Sequence, residues 1–594
     1  MKNMEKSTTP LQTTGVLTLA AVAKCKQSLG SLLTGINRTE RKQQIMKKWI
    51  RNLVILLLAA AAAGIYYYIS LPAINVHSAG FWFFIITVLA VVIVVYGIRT
   101  ASREYVESEI SEKFGIKFNT YGLKDNKVIK ALGILLLLVV AVYAVGSLLS
   151  SPIINAKKYQ ALLTIEEREF TEDIKEVDYR TIPLLDKDSA ALLGNRKLGS
   201  LVDMVSQFEV ANDYTQINYQ GVPVRVAPLM YASPIKWLTN QKEGLPAYIL
   251  INMATQDTEC VKLEEGFKYS KSEYFNRNLY RHLRFRFPTY IFDDQIFFEI
   301  DEEGIPYWVC PVKKFNIGLF GGQTVGRVVL CNAVTGECTD YAVEDVPQWV
   351  DKVYSAELLI QLYDYSGILK NGYFNSVLGQ KDCLQSTNGY NYIALEDDVW
   401  VYTGVTSLSG DQSNVGFVLM NQRTMETRYY KVEGAIEDSA MSSAEGQVQN
   451  LGYRATFPLL LNIADEPTYF MALKDASGLV KKYAMVNVQK YQWVAIGDTV
   501  QECEGNYTQL LNTNGIVSEN AQMYKEASGR IVSMVPIVLE GTTHYYICLE
   551  NNEDIFDLDM SDQDLIGIVR YQTGDMVKLK YAEGYGLHPV RALE

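Results

Sequence analysis

The chain has 594 residues, 48% hydrophobic and 21% charged, with a mean hydropathy of zero and a net charge of −12. One core rarely serves more than about 250–300 residues, so several domains are expected, while near-average charge excludes a mostly disordered chain. The 41 Gly, 16 Pro and 8 Cys exclude collagen-like and Cys-rich frameworks, and the net acidity argues against general nucleic-acid binding.

These averages join two unlike parts. Residues 1–150 carry 17 Lys+Arg against 7 Asp+Glu, a net of +10; of the totals of 55 and 67, the rest of the chain holds 38 and 60, a net of −22. Residues 11–36 mix Val16, Leu17, Leu19, Val22, Leu29, Leu32 and Leu33 with Lys24 and Lys26, which fits either an interfacial helix or a partly ordered tail. Three apolar runs follow, at 53–74, 81–98 and 131–154, each close to or beyond the ~18–20 residues that cross a bilayer.

Orientation follows from Lys and Arg. Ten precede the first run, none lies in 71–80, and seven lie in 99–130. The tail 1–51 and the loop 99–130 are therefore expected in the cytoplasm, with the three-helix region at 52–154 and residues 155–594 outside. Tyr66-Tyr67-Tyr68 and Phe81-Trp82-Phe83-Phe84 fall at the outer interface, where aromatic rings settle.

Residues 155–215 read as a charged helical stalk, with Asp188-Ser189 as a cap before a helix over 190–208. Within 216–513, three apolar strands end alike, in Asn252-Met-Ala-Thr255, Asn332-Ala-Val-Thr335 and Asn421-Gln-Arg-Thr424. Each leads to a second strand, as Asn and Thr side chains bond back to the backbone at tight turns and Gly336 supplies a positive φ. Helical stretches are expected next, at 272–284, 346–354 and 439–451. Asp-Glu-Glu-Gly304 and Asp-Ala-Ser-Gly478 read as further turns between strands. Spacing of this kind suggests a duplicated module. The strand, Asn-x-x-Thr-Gly-Glu turn, strand and amphipathic helix of 328–354 resemble the PepSY-type module. That resemblance implies peptide or partner binding, or modulation of a neighbouring enzyme, outside the membrane, and supplies no catalytic residues.

Against the acidic background stands Lys268-Tyr-Ser-Lys-Ser-Glu-Tyr-Phe-Asn-Arg277-Asn-Leu-Tyr-Arg281-His-Leu-Arg284-Phe-Arg286. Helical spacing groups Arg277, Arg281 and Arg284 on one face, a candidate anion or partner site for a lipid headgroup or an anionic wall polymer. The alternative is a solvated face paired with the protein's own acids. Past Asn514, short strands at 530–539, 544–549, 565–571 and 576–581 suggest that 514–594 forms a small OB- or SH3-like barrel.

The sequence calls for no metal or cofactor. The four His are scattered, and neither a Gly-x-Ser-x-Gly elbow nor a phosphate-binding loop occurs. Asp557-x-Asp559 begins like a calcium loop, but Asp562 and Ile568 stand where Gly and Glu belong. A turn centred on Val334-Thr335 would set Cys331 opposite Cys338, with two buried thiols as the alternative to a bridge. The expected fold is therefore a membrane-anchored α+β chain: three transmembrane helices, a repeated strand-hairpin-helix region and a small barrel. The expected function is non-enzymatic binding, in the cell envelope, of a protein or wall component. The alternative is an envelope hydrolase acting on peptide or glycan through carboxylates.

Overall fold

The computed structural model describes residues 46, 49–50, 53–55, 57–114, 126–174, 183, 185–408, 413–516, 525–539, 542–552, 554–560, 563–581 and 587–593. Residues 11–36, read as an interfacial helix or a partly ordered tail, nearly all the rest of the tail 1–51 and residues 115–125 of the expected cytoplasmic loop lie outside the described residues. Contacts divide the chain into two units: residues 1–151, 269–292 and 313–323 form the first, and 152–268, 293–312 and 324–594 the second.

The first unit holds α1 (Leu53–Ser70), α2 (Ala79–Phe114) and α3 (Lys127–Leu149). Asn126 starts α3 by accepting from Val128 N at 3.0 Å. The apolar stretches Leu53–Ser70, Ala79–Ala101 and Lys127–Leu149 are 18, 23 and 23 residues long. At ~1.5 Å per residue they match a hydrocarbon layer about 30 Å thick. No described residue of their most apolar stretches is buried, Leu137 being 69% and Ile134 65% exposed. Helices of that length with no polar face belong in lipid.

The second unit is built mainly from four antiparallel sheets. Sheet one contains β1 (Thr215–Tyr219), β2 (Val222–Tyr231), β3 (Leu245–Asn252) and β4 (Thr258–Phe267). Sheet two contains β5 (Phe297–Ile300), β6 (Pro306–Ile317), β7 (Gly321–Asn332) and β8 (Cys338–Ala342). Sheet three contains β9 (Asn391–Leu395), β10 (Asp398–Ser407), β11 (Gly416–Asn421) and β12 (Thr427–Tyr430). Sheet four contains β13 (Leu459–Ile463), β14 (Glu466–Lys474), β15 (Val480–Asn487) and β16 (Val494–Gly497). In each, the four strands pair with their sequence neighbours, and short extra strands extend three of the sheets.

The strand-end asparagines explain the sharp turns from third to fourth strand. Asn252 Oδ1 accepts from Ala254 N and Thr255 N, Asn332 Oδ1 from Val334 N and Thr335 N, and Asn421 Oδ1 from Arg423 N and Thr424 N, all at 2.8–3.0 Å. A fourth such corner closes sheet four, where Asn487 Oδ1 accepts from Gln489 N and Lys490 N. The left-handed residue after three of these corners is Gly336 in one case, but Gln256 and Met425 in the other two.

Helices fill the space beside the sheets. The helix α6 (Ala356–Ile368) buries Leu359 and Leu362 with Val328 and Leu330 of sheet two and Val401 and Val418 of sheet three. The helix α7 (Glu437–Gln447) buries Ala440 and Ala444 with Trp400 and Phe417 of sheet three and Tyr469 and Met471 of sheet four. The helix α8 (Val500–Thr513) packs Cys503 and Tyr507 on Phe470 and Met485. Residues 525–593 supply β17 (Lys525–Leu539), β18 (Thr542–Leu549), β19 (Ile555–Asp559), β20 (Met576–Tyr581) and β21 (Leu587–Leu593). They close in the order β17-β18-β19-β21-β20 around Ile547, Phe556 and Leu579.

Four local expectations differ from the structure. Residues 155–215 are not a helical stalk: Glu166–Arg168 pairs in parallel with β12, Phe208–Val210 pairs with β2, and Phe170 is in the core. The helix expected over 190–208 is α4 (Lys187–Gly199), capped by Asp186 rather than by Asp188-Ser189. Residues 346–354 form a loop, although Val346, Val350 and Val353 have helical spacing, and all three are buried. Residues 565–571 fall largely in a 3-10 helix over Gln563–Arg570, whose three-residue turn stacks buried Leu565 on buried Ile568. Finally, the helix expected at 272–284 is α5 (Leu279–Arg286), preceded by one 3-10 turn at Phe275–Arg277.

Candidate functional site

The arginine segment lies in the first unit, against the end of α1 and the loop that follows it. Asn278 caps α5 through Arg281 N, and Leu279 and Leu283 are buried. Arg284 is buried too. Its Nε donates to Leu71 O at 2.9 Å, and its Nη1 to Tyr290 O at 2.6 Å and to Phe287 O and Pro288 O at 3.4 Å. Burial pulls its pKa below the usual arginine value. Arg284 thus ties its own segment to the loop after α1 by saturating carbonyls.

Arg281 lies over the ring of Tyr68, 4.3 Å from its centroid, and donates from Nη1 to Phe275 O at 2.8 Å. Arg277 sits in the preceding 3-10 turn, so the three guanidinium groups do not share one helix face. Phe285 packs on Tyr67 and Tyr68, with ring centroids 6.2 and 6.0 Å apart. Ile74 N donates to Pro288 O at 2.8 Å, and Asn75 Nδ2 to Thr289 O at 3.0 Å.

A second segment of the first unit, residues 313–323, grips the other two helices. Ser150 Oγ, at the end of α3, accepts from Leu319 N and Phe320 N at 2.9 and 3.1 Å. His77 Nδ1 donates to Leu319 O at 2.7 Å, and Phe320 packs on Trp82 and Tyr143. Gly146 faces Leu319, where a Cβ would come within 2.8 Å of Cδ1. The end of α1, the start of α2 and the end of α3 therefore lie together with two segments of the later chain.

The second unit holds a buried charged cluster that sequence reasoning missed. Glu299 on β5 is 0% exposed, and Asp351 and Lys352 from the loop before α6 are 2% and 3% exposed. The Glu299 carboxylate accepts from Asp351 N and Lys352 N, both at 3.0 Å. Asp351 Oδ2 accepts from Asn218 N at 2.6 Å. Lys352 Nζ donates to Gln422 Oε1 and lies 3.7 Å from the ring centre of Tyr392. Burial pushes Glu299 up to about 7 and raises Asp351 well above the usual carboxylate range. Burial pulls Lys352 down to about 7, against the attraction of Glu299 and Asp351. The two carboxylates spend their hydrogen bonds on backbone N–H groups and Lys352 on the Gln422 side chain, and together they join sheet two to sheets one and three.

Near the surface, Glu169, Phe170, Thr171, Lys431, Val432, Glu433, Pro467 and Gln489 line a cavity of about 370 Å³. Its two carboxylates belong to exposed residues. Asp557 bonds His544 Nδ1 at 2.9 Å, and both Asp557 and Asp559 lie in β19 rather than in a loop. Cys331 and Cys338 are register partners with sulfur atoms within 4.8 Å, and no bond joins them.

No family model matches the chain, and no curated protein does. Among solved structures, the crystal structure of a levansucrase mutant from B. megaterium is similar over 70% of this chain and 93% of its own, at 10% identity and a TM-score of 0.17. Agreement that poor carries no argument about fold or activity.

Proposed function

We propose that the chain is a membrane-anchored envelope protein whose sheet region, outside the cytoplasm, binds a protein partner or a wall component. The anchor is the best supported part, since α1, α2 and α3 are long, apolar and lipid-compatible on all sides. The side assignment rests on the alternation of ten, zero and seven Lys+Arg around the helices. It is consistent with the packing of the uncharged 71–80 loop on Pro288 and Thr289.

The observation that carries the non-enzymatic reading is the sealing of Glu299 and Asp351. Carboxylates for acid–base work on a peptide or glycan must reach the reacting bond. These two are closed off and bonded to backbone N–H groups. We read the four sheets, with their four asparagine corners, as copies of one module of the PepSY-like kind, offering a surface rather than a cleft. Crosslinking in intact cells, followed by identification of the trapped molecule, tests this reading. A specific envelope protein or wall polymer is the expected product. Turnover of a peptide or glycan by the purified chain, lost in a carboxylate variant, would establish the hydrolase instead.

A further inference from the structure

We propose that residues 274–286 form a collar seated in the interfacial layer of the bilayer, with Arg277, Arg281 and Arg286 binding the phosphate groups of anionic phospholipids. The inference rests on the reading of α1–α3 as membrane spans and names a lipid partner for the same unit.

Depth is set by continuity. Phe285 packs on Tyr67 and Tyr68, which lie in the last turn of α1, and Arg281 lies over Tyr68. Arg284 bonds the carbonyl of Leu71, the first residue past that helix. The segment is therefore held at the level where the apolar span ends, which is the headgroup level of the bilayer.

Composition fits that level. Phe275 is 63%, Phe285 53%, Tyr274 43% and Tyr280 41% exposed, four aromatic rings within twelve residues. Water gives such rings no reason to cluster outward, whereas the membrane interface favours them. Arg286 is exposed and Arg277 and Arg281 are partly exposed among these rings. Guanidinium groups match phosphate oxygens in a two-pronged geometry and tolerate stacking on aromatics. Aromatic rings interleaved with arginine, on a short helix held at the boundary, is the pattern of an interfacial element.

The test uses the full chain in nanodiscs of phosphatidylcholine and phosphatidylglycerol. Lipids retained after mild detergent extraction are counted by mass spectrometry. The wild-type chain is expected to enrich phosphatidylglycerol above its share of the bilayer. The Arg277→Gln, Arg286→Gln pair is expected to weaken phosphatidylglycerol binding by on the order of 25-fold, since each arginine near an anionic surface contributes roughly fivefold. Arg281 is left in place because it also bonds Phe275 O and stacks on Tyr68. If the pair melts at a lower temperature than wild type, Arg286→Gln alone decides the matter, with a severalfold loss expected. Undiminished enrichment in the deciding variant overturns the proposal. So does undiminished enrichment together with lost binding to purified anionic wall polymer, which would assign the arginines to the polymer. Alkaline carbonate washing tests the spans separately: a chain that stays in the membrane while lipid enrichment fails refutes the collar and leaves the anchor intact.

Discussion

Arg284 and Glu299 are single residues on which separate parts of the molecule depend. Arg284 holds four carbonyls with one planar group. Lysine cannot reproduce that fork, so Arg284→Lys should lose most of what Arg284→Ala loses. Both are expected to lower stability by about 2–4 kcal/mol, because buried carbonyls lose charged donors. Thermal unfolding of the detergent-solubilised chain measures it, and a variant within about 0.5 kcal/mol of wild type contradicts the tie. For Glu299 the expectation concerns pH. Its folded value, about 7, lies above its ordinary 4.5, so the folded chain holds the extra proton and stability falls as pH rises between these values. Lys352 is shifted down to about 7 from 10.5, so stability rises again between about pH 7 and 10.5. Glu299→Gln should reduce the first slope, to which Asp351 also contributes, by on the order of 1–3 kcal/mol across the window, and widen the second, because Lys352 loses an attracting charge. An unchanged acid slope contradicts this. None of this cluster was legible in the sequence, where Glu299 and Asp351 lie 52 positions apart and look like any other acids of a chain with 67.

Among the elements, the corners and turns were the most readable. Asn252, Asn332 and Asn421 announced three corners, whereas Asn487 escaped notice because Lys490 stands where the others have Thr. Side-chain capping by Asn needs only backbone N–H groups, so the Thr was dispensable. The missing glycines were a similar trap: Gln256 (φ 65°) and Met425 (φ 67°) adopt the conformation that Gly336 (φ 75°) takes freely. Gln256→Gly is therefore expected to raise stability by about 0.5–1 kcal/mol, and Gly336→Ala to lower it by about 1 kcal/mol or more. Melting temperatures shifting the other way would contradict the strain argument. The two aspartate turns were readable as turns, and both are built alike. Asp301 Oδ1 accepts from the residues two and four ahead, as does Asp475 Oδ1. Yet the first turn joins β5 to β6, the first two strands of its sheet, and the second joins β14 to β15, the second and third. The loop at 346–354 misled for another reason: burial of Val346, Val350 and Val353 by a loop imitates the spacing of a helix face.

For the whole molecule, charge and hydropathy carried the most. Three charge-free runs gave the helices because nothing but length and apolarity is needed to cross lipid. What no run of residues announced was that 269–292 and 313–323, far along the chain, would join the helical unit. Such contacts depend on which strands the segments interrupt, not on local composition. They put the uncharged 71–80 loop on the same side of the proposed membrane as segments 269–292 and 313–323, and the Lys and Arg count proposes that side as the outside. The most direct measurement is protease added to sealed protoplasts, with fragments identified by mass spectrometry. Residues after 154 are expected to be digested while peptides from 1–51 and 99–130 stay protected until the membrane is opened. Survival of an intact fragment covering 155–594, alongside digestion of a known outer domain, would contradict it.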